Sequence, residues 1–600
     1  MSTSLIPLVV HATHEAGVKL GGIGAVLDGL LSSHAYNAAV GRTILAGPVN
    51  TWNPVEMERL TAPGNGLRII YSSIHGIYEA PEEIALALRG IEDGMHVRLL
   101  YGTRTFGAHR HEVLLVDAGG IAGEVINGYK YYLWQRWGLA CSQHEGNWEF
   151  SFYLNAGEPL YATIEAVTGD MPLEARRIII AHEWLGLPLV FSALLRNGRR
   201  YRTAFYAHEV ATVRLLVEGH GGHDTRFYNT LRLGLSQGNS LDQVFGDQSW
   251  FYKHAMLQRA GLCDRIFAVG DLVLDEMRFL GGVFQHKPID LVYNGVPAPT
   301  VGLEQKLASR ELMVQYAENL FGYRPDYIFT HVTRMVTSKA LWRDLRVSEH
   351  LEWAMAAQGK QAVLFIVSTA SPAGRRVEDV RRWEQEYDWP VGHRGDNGDL
   401  QDAEVRFFYN ALEPFHWNRR AIRIVLVNQF GWDQERCGYR MPAAMRFADL
   451  RIGTDLEFGQ SIYEPFGIAQ VEPLCAGALC VATNVCGCVG FVKRATGGQT
   501  PGLVIADYVS VPDDWPLWSA WDALRIDQTI REAIEARRSW DVAQLISQRL
   551  PIDAGGYRDL LAAGQQAAQA MSWEVVARDY LLPALERCWS LEQTTGSADA

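Results

Sequence analysis

The feature that most constrains the fold is an alternation of short β-branched runs with longer helical segments along the chain. This alternation is typical of parallel β-sheets covered by helices, because parallel strands need a crossover connection of a dozen or more residues. Because 600 residues are too many for one core, we expect each half to build its own sheet. The runs predicted as strands are Ile6 to His11, Arg177 to Ala181, Thr203 to Ala207, Arg265 to Val269 and Asp290 to Tyr293 in the first half, and Tyr327 to Val332, Ala362 to Ser368, Ile422 to Asn428, Leu450 to Gly453 and Leu479 to Thr483 in the second.

The turn Asn294-Gly295-Val296-Pro297 ends the first series of strands and predicts a domain boundary near residue 298. The predicted division is a first domain over 1–298, a second over 299–575, and a returning C-terminal helix with its tail over 576–600.

Residues 371–421 are rich in Arg, Asp, Glu and Trp, and we interpret them as a helical insertion in the second domain. Two readings of this insertion stay open, a solvated surface or a contact to an oligomer or polymer. The tail after residue 590 is predicted to be disordered.

Composition excludes some classes of function. The formal net charge is -13 and no Lys/Arg-rich tract is present, which argues against a nucleic-acid partner but allows a few local cations to bind phosphate. The segment Met1 to His14 has no basic region and is predicted as a first strand rather than a signal peptide. No apolar run is long enough to cross a bilayer, so we expect a cytoplasmic protein without a membrane partner.

The eight cysteines include four that are close in sequence, Cys475, Cys480, Cys486 and Cys488. Their spacing fits no common zinc pattern, and their small apolar neighbours are typical of buried thiols. We therefore predict no metal site.

Polar residues follow several of the predicted strands. His11 and His14 follow the first strand, His182 the second, His208 the third, and Arg334 follows Tyr327 to Val332. Ligands of open α/β sheets bind outside the carboxyl ends of the strands. One histidine there is more often structural than catalytic, but several at equivalent positions indicate a binding site.

Two short segments suit an anionic ligand. Lys19-Leu-Gly-Gly-Ile-Gly24 follows the first strand and leads into a predicted helix, Ala25 to Leu31. Its glycines let backbone N–H groups approach an anion, and the lysine adds a charge. Arg334-Met-Val-Thr-Ser-Lys339 offers two cations, whose use would be to neutralise a departing diphosphate.

The segment Glu464-Pro-Phe-Gly-Ile-Ala-Gln-Val-Glu472 places two carboxylates around seven residues. Carboxylate oxygens accept hydrogen bonds from sugar hydroxyls. In a helix the two acids would be ~12 Å apart, a span from a hexose across a diphosphate to a ribose. A helix N-terminus between them would suit phosphate. The segment therefore suggests a nucleotide-sugar site.

These motifs occur together and in order: Lys-x-Gly-Gly at Lys19, His-Glu-Trp at His182, Arg-x4-Lys at Arg334 and Glu-x7-Glu at Glu464. The set resembles the glycogen and starch synthases, retaining glucosyltransferases of the GT-B architecture. Lys19-Leu-Gly-Gly-Ile resembles the bacterial and plant branch. Similarity to the fungal and animal branch is carried by Thr203-Ala-Phe-Tyr-Ala-His208, Arg226-Phe-Tyr-Asn229 and Thr483-Asn-Val-Cys-Gly487.

The resemblance implies two Rossmann-like doubly wound α/β domains that face a deep cleft. It implies transfer of glucose from ADP- or UDP-glucose to the non-reducing end of an α-1,4-glucan with retention. No Asp-x-Asp stands at a predicted strand end, which is consistent with a metal-independent site, and we expect no cofactor. The segment Ser572 to Tyr580 is similar to the C-terminal helix that family members place against the first domain.

The resemblance also implies roles for single residues. Arg334 and Lys339 would hold the donor's phosphates, and Glu464 would bind the transferring glucose. Glu472 would bind the ribose, and His182 would lie beside the glucose at the reacting centre. Further substrate-binding residues implied are Lys19, Gly21, Gly22, His208, Gly467 and Thr483.

Departures from the family pattern leave alternatives open. Ala25 stands where many bacterial synthases have Asp, the insertion before Glu464 is longer, and Asp455 to Ser461 is unusual. A related retaining transferase with a different acceptor, such as a disaccharide or small glucoside, is one alternative, and a non-catalytic glucan-binding relative is another. A nicotinamide oxidoreductase is a third, although the chain has no convincing Gly-x-Gly-x-x-Gly with the expected acid after it.

Overall fold

The computed structural model describes residues 6–172, 174–197, 200–371 and 374–590, so the predicted disordered tail lies outside the described residues. The chain divides into two compact units. Unit 1 comprises Met1–Val213, Gly238–Gly295 and Trp573–Ala600, and unit 2 comprises Arg214–Gln237 and Val296–Ser572. The first predicted domain, 1–298, therefore includes a segment, Arg214–Gln237, that packs in unit 2.

Unit 1 is built on a ten-stranded sheet with the order β10-β9-β8-β7-β1-β2-β6-β5-β3-β4. The strands from β10 to β6 are parallel, and β5, β3 and β4 extend the sheet as antiparallel strands. The bounds are β1 Ile6–Ala12, β2 Val40–Pro48, β3 Leu67–Ser72, β4 Ile77–Tyr78, β5 Arg98–Phe106, β6 His109–Asp117, β7 Arg177–His182, β8 Arg202–Ala207, β9 Arg265–Ala268 and β10 Ile289–Leu291.

Most α-helices of unit 1 lie between these strands along the chain, the last two belong to the returning C-terminal segment, and the helix Ala211–Glu218 carries the chain into unit 2. The others are Gly22–Ser32, His34–Ala39, Pro54–Thr61, Glu82–Met95, Gly123–Trp137, Trp148–Val167, Glu183–Asn197, Leu241–Phe245, Tyr252–Gln258, Asp271–Phe279, Trp573–Val576 and Leu582–Trp589.

Unit 2 is built on a six-stranded sheet with the order β13-β12-β11-β14-β15-β16, and all its strands are parallel. Renumbered within the unit, this is the order 3-2-1-4-5-6 of the Rossmann fold. The bounds are β11 Tyr327–Val332, β12 Ala362–Val367, β13 Ile422–Val427, β14 Leu456–Gly459, β15 Leu479–Thr483 and β16 Leu503–Ala506.

The helices of unit 2 include several in the predicted insertion 371–421, which lies between β12 and β13. The α-helices are His223–Ser236, Leu303–Phe321, Leu341–Ala357, Val377–Tyr387, Asp402–Phe407, Glu413–His416, Gln434–Cys437, Phe447–Gly453, Ile468–Val471, Cys488–Ala495, Ala520–Ala523, Gln528–Arg549 and Ala554–Ala570.

The central strands are buried along their whole length, as parallel strands covered on both faces must be. All residues of β7 and β12, with the sequences RIIIAH and AVLFIV, are buried. The prediction of two Rossmann-like doubly wound α/β domains is confirmed. Within the described residues, no helix has the length and hydrophobicity needed to span a bilayer.

One predicted strand is wrong. Leu450 to Gly453 belongs to the helix Phe447–Gly453, and the strand comes later, at Leu456–Gly459. Asp449 stabilises the start of this helix, because its carboxylate accepts the backbone N–H of Arg446 at 2.8 Å. A four-residue apolar run carries too little periodicity to separate a strand from a helix. Strands β2 to β6 and β16 were not among the predicted strands.

The C-terminal segment returns to unit 1, as the resemblance implies. The Glu574 carboxylate accepts the backbone N–H groups of His34 and Ala35, both at 2.9 Å. The Trp573 ring lies against Gly29 and Gly295, where an added Cβ would come within 2.1 and 2.5 Å of it. Only glycine leaves room for this indole.

A buried charge cluster holds Arg214–Gln237 in unit 2. The guanidinium of Arg343 donates two hydrogen bonds to Asp224, at 2.7 and 2.9 Å, and one to Glu535 at 2.8 Å. All three residues are 0% exposed. The Tyr508 ring lies 4.3 Å from the guanidinium carbon. Because a buried charge is tolerated only when it is paired, the helix that carries Asp224 must stay in place.

Candidate functional site

The candidate site in unit 2 lies at the point where its strand order reverses, between β11 and β14. Ligands of open α/β sheets bind at such a switch point, outside the carboxyl ends of the strands. Arg334 and Lys339 follow the carboxyl end of β11, and Glu464 follows that of β14. The two loops are joined by a hydrogen bond from the backbone N–H of Ile462 to the carbonyl of Ser338, at 2.8 Å.

Lys339 and Glu464 form an ion pair in which the ammonium donates to the carboxylate. The two side chains are 16% and 15% exposed, so the pair is partly shielded from water while one side of it stays accessible. Lys339 ends a short 3₁₀ turn, Thr337–Lys339, and the next residue, Ala340, has the left-handed φ of 47°. The turn positions the backbone of Lys339 beyond the carboxyl end of β11, and the Glu464 carboxylate holds its ammonium.

Arg334 lies on the same loop as Lys339 and is exposed. In the parts of the chain that the structure describes, its side chain has no hydrogen bond or ion pair. A guanidinium presents five N–H donors and stays charged at any physiological pH. The loop after β11 therefore offers one cation that is internally paired and one that is available to an anion.

The nine residues from Glu464 to Glu472 do not form one continuous helix, and the helix begins between the two acids, after the Pro-Phe-Gly break. Glu464 pairs with Cys486 in an isolated parallel β-bridge, and the helix spans only Ile468–Val471. Gly467 precedes it with a φ of 87°, and an added Cβ there would come within 2.2 Å of Gln470 Oε1. The Pro-Phe-Gly break keeps the first acid in extended backbone, so the spacing expected for a helix does not apply.

Glu472 is held by an arginine that the sequence analysis did not select. Arg451 Nη2 lies 3.3 Å from the Glu472 carboxylate and also donates to the carbonyl of Ala469. Its Nη1 lies 3.0 Å from Glu457, a carboxylate 1% exposed in β14. Glu457 accepts the backbone N–H of Val332 at 3.1 Å. A chain of charges thus connects Glu472 to the carboxyl end of β11.

Thr483 and Gln470 pack behind Glu464. The Thr483 hydroxyl is buried and donates to the carbonyl of Ser461 at 2.7 Å. The Gln470 amide donates to the Ser461 hydroxyl at 2.9 Å and lies 3.5 Å from Glu464. Because its hydroxyl proton is donated to the carbonyl of Ser461, Thr483 stabilises the loop that carries Glu464.

The glycine loop of unit 1 is closed on an internal carboxylate. Glu15 Oε2 accepts the backbone N–H groups of Leu20 and Gly21, both at 2.6 Å, and Lys19 pairs with Asp28 at 2.7 Å. Glu15 is 1% exposed. The helix Gly22–Ser32 then begins with Gly22 and has no acidic residue in its first turn. The amide of Gly21 and the ammonium of Lys19 are therefore engaged within unit 1.

Three histidines lie at or just after the carboxyl ends of three neighbouring parallel strands of unit 1 and form a hydrogen-bonded chain. His182 Nε2 lies 2.8 Å from His11 Nδ1, and His182 Nδ1 lies 2.9 Å from His208 Nε2. Burial, together with the neighbouring histidines, lowers the pKa of His182 well below its ordinary value. Burial also lowers the pKa of His11 and of His208 to about 3. All three rings are therefore neutral at physiological pH.

Glu183, beside His182, ties two strand ends together. Its carboxylate accepts the backbone N–H groups of His208, at 2.5 Å, and Glu209, at 2.8 Å. Its φ is 64°, a strained conformation for a non-glycine residue. Burial, reinforced by the nearby Glu209, raises the pKa of this carboxyl to about 8. Such strain and such a pKa shift are typical of functional sites.

The structure contains no group of three or more His, Cys, Asp or Glu side chains arranged to hold a metal ion, among the residues it describes. All eight cysteines are buried free thiols. Cys486 and Cys488 lie 3.1 Å apart, sulfur to sulfur.

Sequence reasoning missed Glu15, Glu183 and Arg451. Glu15 carries a readable signal, since it is an acid between the first strand and the glycine loop. Glu183 lies inside the His-Glu-Trp motif, where the reasoning considered only the histidine. Arg451 lies in the run that was assigned to a strand, and that error concealed its role.

No protein-family model matches the chain. A search of curated proteins also returned no match.

Solved structures are similar to the chain over nearly its whole length. Sucrose-phosphate synthase from Thermosynechococcus elongatus is 15% identical, with 97% of this chain and 98% of that chain covered and a TM-score of 0.47. An α,α-trehalose-phosphate synthase (UDP-forming) from Burkholderia vietnamiensis is 12% identical, with 98% and 99% covered and a TM-score of 0.46. The catalytic domain of starch synthase IV from Arabidopsis thaliana, bound to ADP and acarbose, is 14% identical, with 94% and 99% covered and a TM-score of 0.44. At these identities and TM-scores, any argument about function has to come from the residues of the two units.

Proposed function

We propose that this protein is a glucosyltransferase similar to the glycogen and starch synthases. It would transfer glucose from ADP- or UDP-glucose to the non-reducing end of an α-1,4-glucan, with retention of the anomeric configuration. The observation that carries the proposal is the switch point of unit 2, where Lys339 pairs with Glu464 and Arg334 lies exposed on the same loop.

The chemistry of sugar transfer explains why these residue types suit that position. As the anomeric C–O bond stretches, positive charge develops on the sugar and negative charge gathers on the leaving diphosphate. Cations fixed beside the diphosphate stabilise this charge more in the transition state than in the ground state, which accelerates the step. In the proposal, Arg334 and Lys339 do this work.

Each acid has its own part in the proposal. Glu464 holds Lys339 in position and accepts hydrogen bonds from hydroxyls of the transferring glucose. Glu472 accepts hydrogen bonds from the ribose, and Arg451 keeps its carboxylate oriented. Gly467 allows the backbone turn that separates the two acids.

Unit 1 contributes the second set of proposed ligands. Lys19 and the amides of Gly21 and Gly22 would approach the donor's phosphates, which requires that a phosphate replace Glu15 at the amide of Gly21. In this proposal His208 belongs to the reacting centre, and His182 acts there through its hydrogen bond to His208. The proposed reaction needs no metal and no cofactor.

The experiment is a panel of ADP-glucose and UDP-glucose, each incubated with glycogen, maltose or monosaccharides, with release of nucleoside diphosphate measured. We expect release with one donor in the presence of glycogen. Release only with a small sugar would favour the transferase with a different acceptor, and no release with any pair would favour the non-catalytic relative.

A pair of variants connects the activity to the site. Arg334→Ala should lower kcat by a factor of roughly 100 to 1,000, the typical loss when one charge-stabilising donor is removed. Arg525→Ala is the matched control, because Arg525 is an arginine of unit 2 whose side chain is 81% exposed. Full activity in Arg334→Ala would reject the assignment.

A further inference from the structure

The three histidines of unit 1 extend into a longer chain through a buried tyrosine. His11 Nε2 lies 3.0 Å from the Tyr36 hydroxyl, which lies 3.0 Å from the Thr43 hydroxyl. His11, Tyr36 and His182 are 0% exposed, and Thr43 is 4% exposed. The complete chain is Thr43, Tyr36, His11, His182 and His208.

Both ring nitrogens of His182 are used within this chain. A neutral imidazole has one N–H donor and one acceptor nitrogen. His182 Nε2 is hydrogen-bonded to His11 and His182 Nδ1 to His208, so neither nitrogen is available to a ligand. The rings of His182 and His208 are inclined by 10° with centroids 5.1 Å apart, which fits an edge-to-edge hydrogen bond.

His208 is different, because the chain uses only its Nε2. Its Nδ1 has no hydrogen-bond partner within the described ranges, and the residue is half-buried rather than fully buried. Among the three imidazoles, His208 is therefore the one with a nitrogen to offer to a ligand.

The protons of such a chain must all point in one direction, since each neutral ring that accepts at one nitrogen donates at the other. Tyr36 decides the direction. Burial raises the pKa of its hydroxyl, so the phenol keeps its proton. A phenol is a good donor and a poor acceptor, whereas a neutral imidazole nitrogen is a good acceptor, so Tyr36 donates to His11 Nε2. His11 Nδ1–H then donates to His182 Nε2, His182 Nδ1–H donates to His208 Nε2, and the last proton is on His208 Nδ1.

We propose that His208 is the histidine that meets the ligand, as a donor through Nδ1–H, and that Tyr36 sets this proton from a distance through His11 and His182. The ligand atom is an oxygen that accepts a hydrogen bond. It is a sugar hydroxyl or a phosphate oxygen if the proposed function holds, and that identification rests on the proposed function. Tyr36 and His11 are positioning residues, and His182 transmits their effect.

The test follows the ring nitrogens of the full-length protein by NMR after incorporation of ¹⁵N-labelled histidine, with His208 assigned from its loss in His208→Asn. We expect Nδ1 of His208 to be protonated and Nε2 to be bare. Tyr36→Phe keeps the ring and removes the donor, so it should let the chain reverse and exchange the two ¹⁵N positions of His208. Tyr206→Phe is the matched control, because the buried Tyr206 ring lies 4.3 Å from the His208 ring, centroid to centroid, while its hydroxyl donates to the carbonyl of Val292 at 2.8 Å.

The transfer assay gives a second measurement. With the proposed donor and acceptor, Tyr36→Phe should lower kcat/KM roughly five- to tenfold, the value of one hydrogen bond, and Tyr206→Phe should leave it unchanged. A protein that transfers no sugar refutes the proposed function but leaves the NMR result to decide the inference. Protonation at Nε2 in the unmodified protein overturns the inference without any variant, and so does an unchanged His208 in a folded Tyr36→Phe.

Discussion

Replacing Asp224 with Asn removes one of the two carboxylates that hold the buried Arg343. The carboxylate of Asp224 accepts two hydrogen bonds from the guanidinium, at 2.7 and 2.9 Å, whereas an Asn amide carries no charge and offers one acceptor oxygen; the hydrogen bond to Glu535 at 2.8 Å remains. Because Arg343 and Asp224 are both 0% exposed, water cannot replace the lost partner. Breaking a buried ion pair on one side typically costs on the order of 3–5 kcal/mol. We expect a loss of that size for Asp224→Asn.

The cost should appear in unit 2 and most directly in the helix His223–Ser236. A chain of two large units does not unfold in two states, so a single melting temperature is not the right measurement. Hydrogen exchange of the amides in this helix reports its own opening free energy. Asp541→Asn is the matched control, because Asp541 lies 3.5 Å from Arg538 on the helix Gln528–Arg549 and is 46% exposed. The loss of opening free energy in Asp541→Asn should stay below about 1 kcal/mol.

The double variant Asp224→Asn with Arg343→Met tests whether the loss of stability comes from an uncompensated charge. If it does, removing Arg343 as well should recover part of the lost unfolding free energy. A loss of stability below about 1 kcal/mol in Asp224→Asn, equal to that of the control, would show that Arg343 does not depend on the Asp224 carboxylate. A double variant less stable than the sum of the two single variants would rule out the uncompensated charge as the cause.

Other consequences follow from single residues. Gly467→Ala should destabilise the loop that carries Glu464 by on the order of 1–3 kcal/mol, because the φ of Gly467 is 87° and an added Cβ would meet Gln470. Unchanged protection of that loop from hydrogen exchange would contradict this. Arg451→Met should raise KM for the donor with little change in kcat, because Arg451 acts through Glu472. The substitution should raise KM less for a donor with a 2′-deoxyribose, and equal effects on both donors would oppose that role. The stability of unit 1 should fall as the pH drops from 6.5 towards 3, because burial lowers the pKa of His11 and of His208 to about 3, so the unfolded chain takes up protons that the folded unit excludes. Each histidine contributes up to about 1.4 kcal/mol per pH unit to this fall. Glu183, whose pKa burial raises to about 8, acts in the opposite direction above pH 4.5. His11→Gln should therefore reduce the slope of the unfolding free energy of unit 1 against pH by about 1.4 kcal/mol per pH unit, and an unchanged slope would count against the buried neutral histidine.

The sequence predicted fully buried parallel strands such as β7 and β12, but it missed the parallel strands β2 and β16 and misplaced β14. Runs such as Ala362 to Ser368 are continuous, β-branched and flanked by turns, which leaves few alternatives. The antiparallel strands β3 and β4 were missed because they lie at one edge of the sheet and most of their residues are only partly buried, so neither gives the continuous buried run of a central strand. Leu450 to Gly453 was assigned to the wrong class because its helix is stabilised by a capping residue rather than by a long apolar face.

For the candidate site, the sequence identified which polar residues lie near strand ends but not which side chains pair with one another. Lys339 and Glu464 are 125 residues apart, and nothing local to either of them encodes their ion pair. The pairing follows from the order of β11 and β14 in the sheet, which spacing alone does not reveal. The same holds for His11 and His182, which meet because β1 and β7 are neighbours.

A calorimetric titration of the protein with ADP-glucose and UDP-glucose shows directly whether the protein binds a nucleotide sugar. We expect saturable binding of one of them with a stoichiometry of one. Arg334→Ala should weaken that binding roughly 10- to 150-fold, the value of a hydrogen bond to a charged group, while Arg525→Ala should leave it unchanged. Binding of neither compound, or equal affinity in Arg334→Ala and the unmodified protein, would contradict the claim that the β11–β14 switch point of unit 2 is a nucleotide-sugar site.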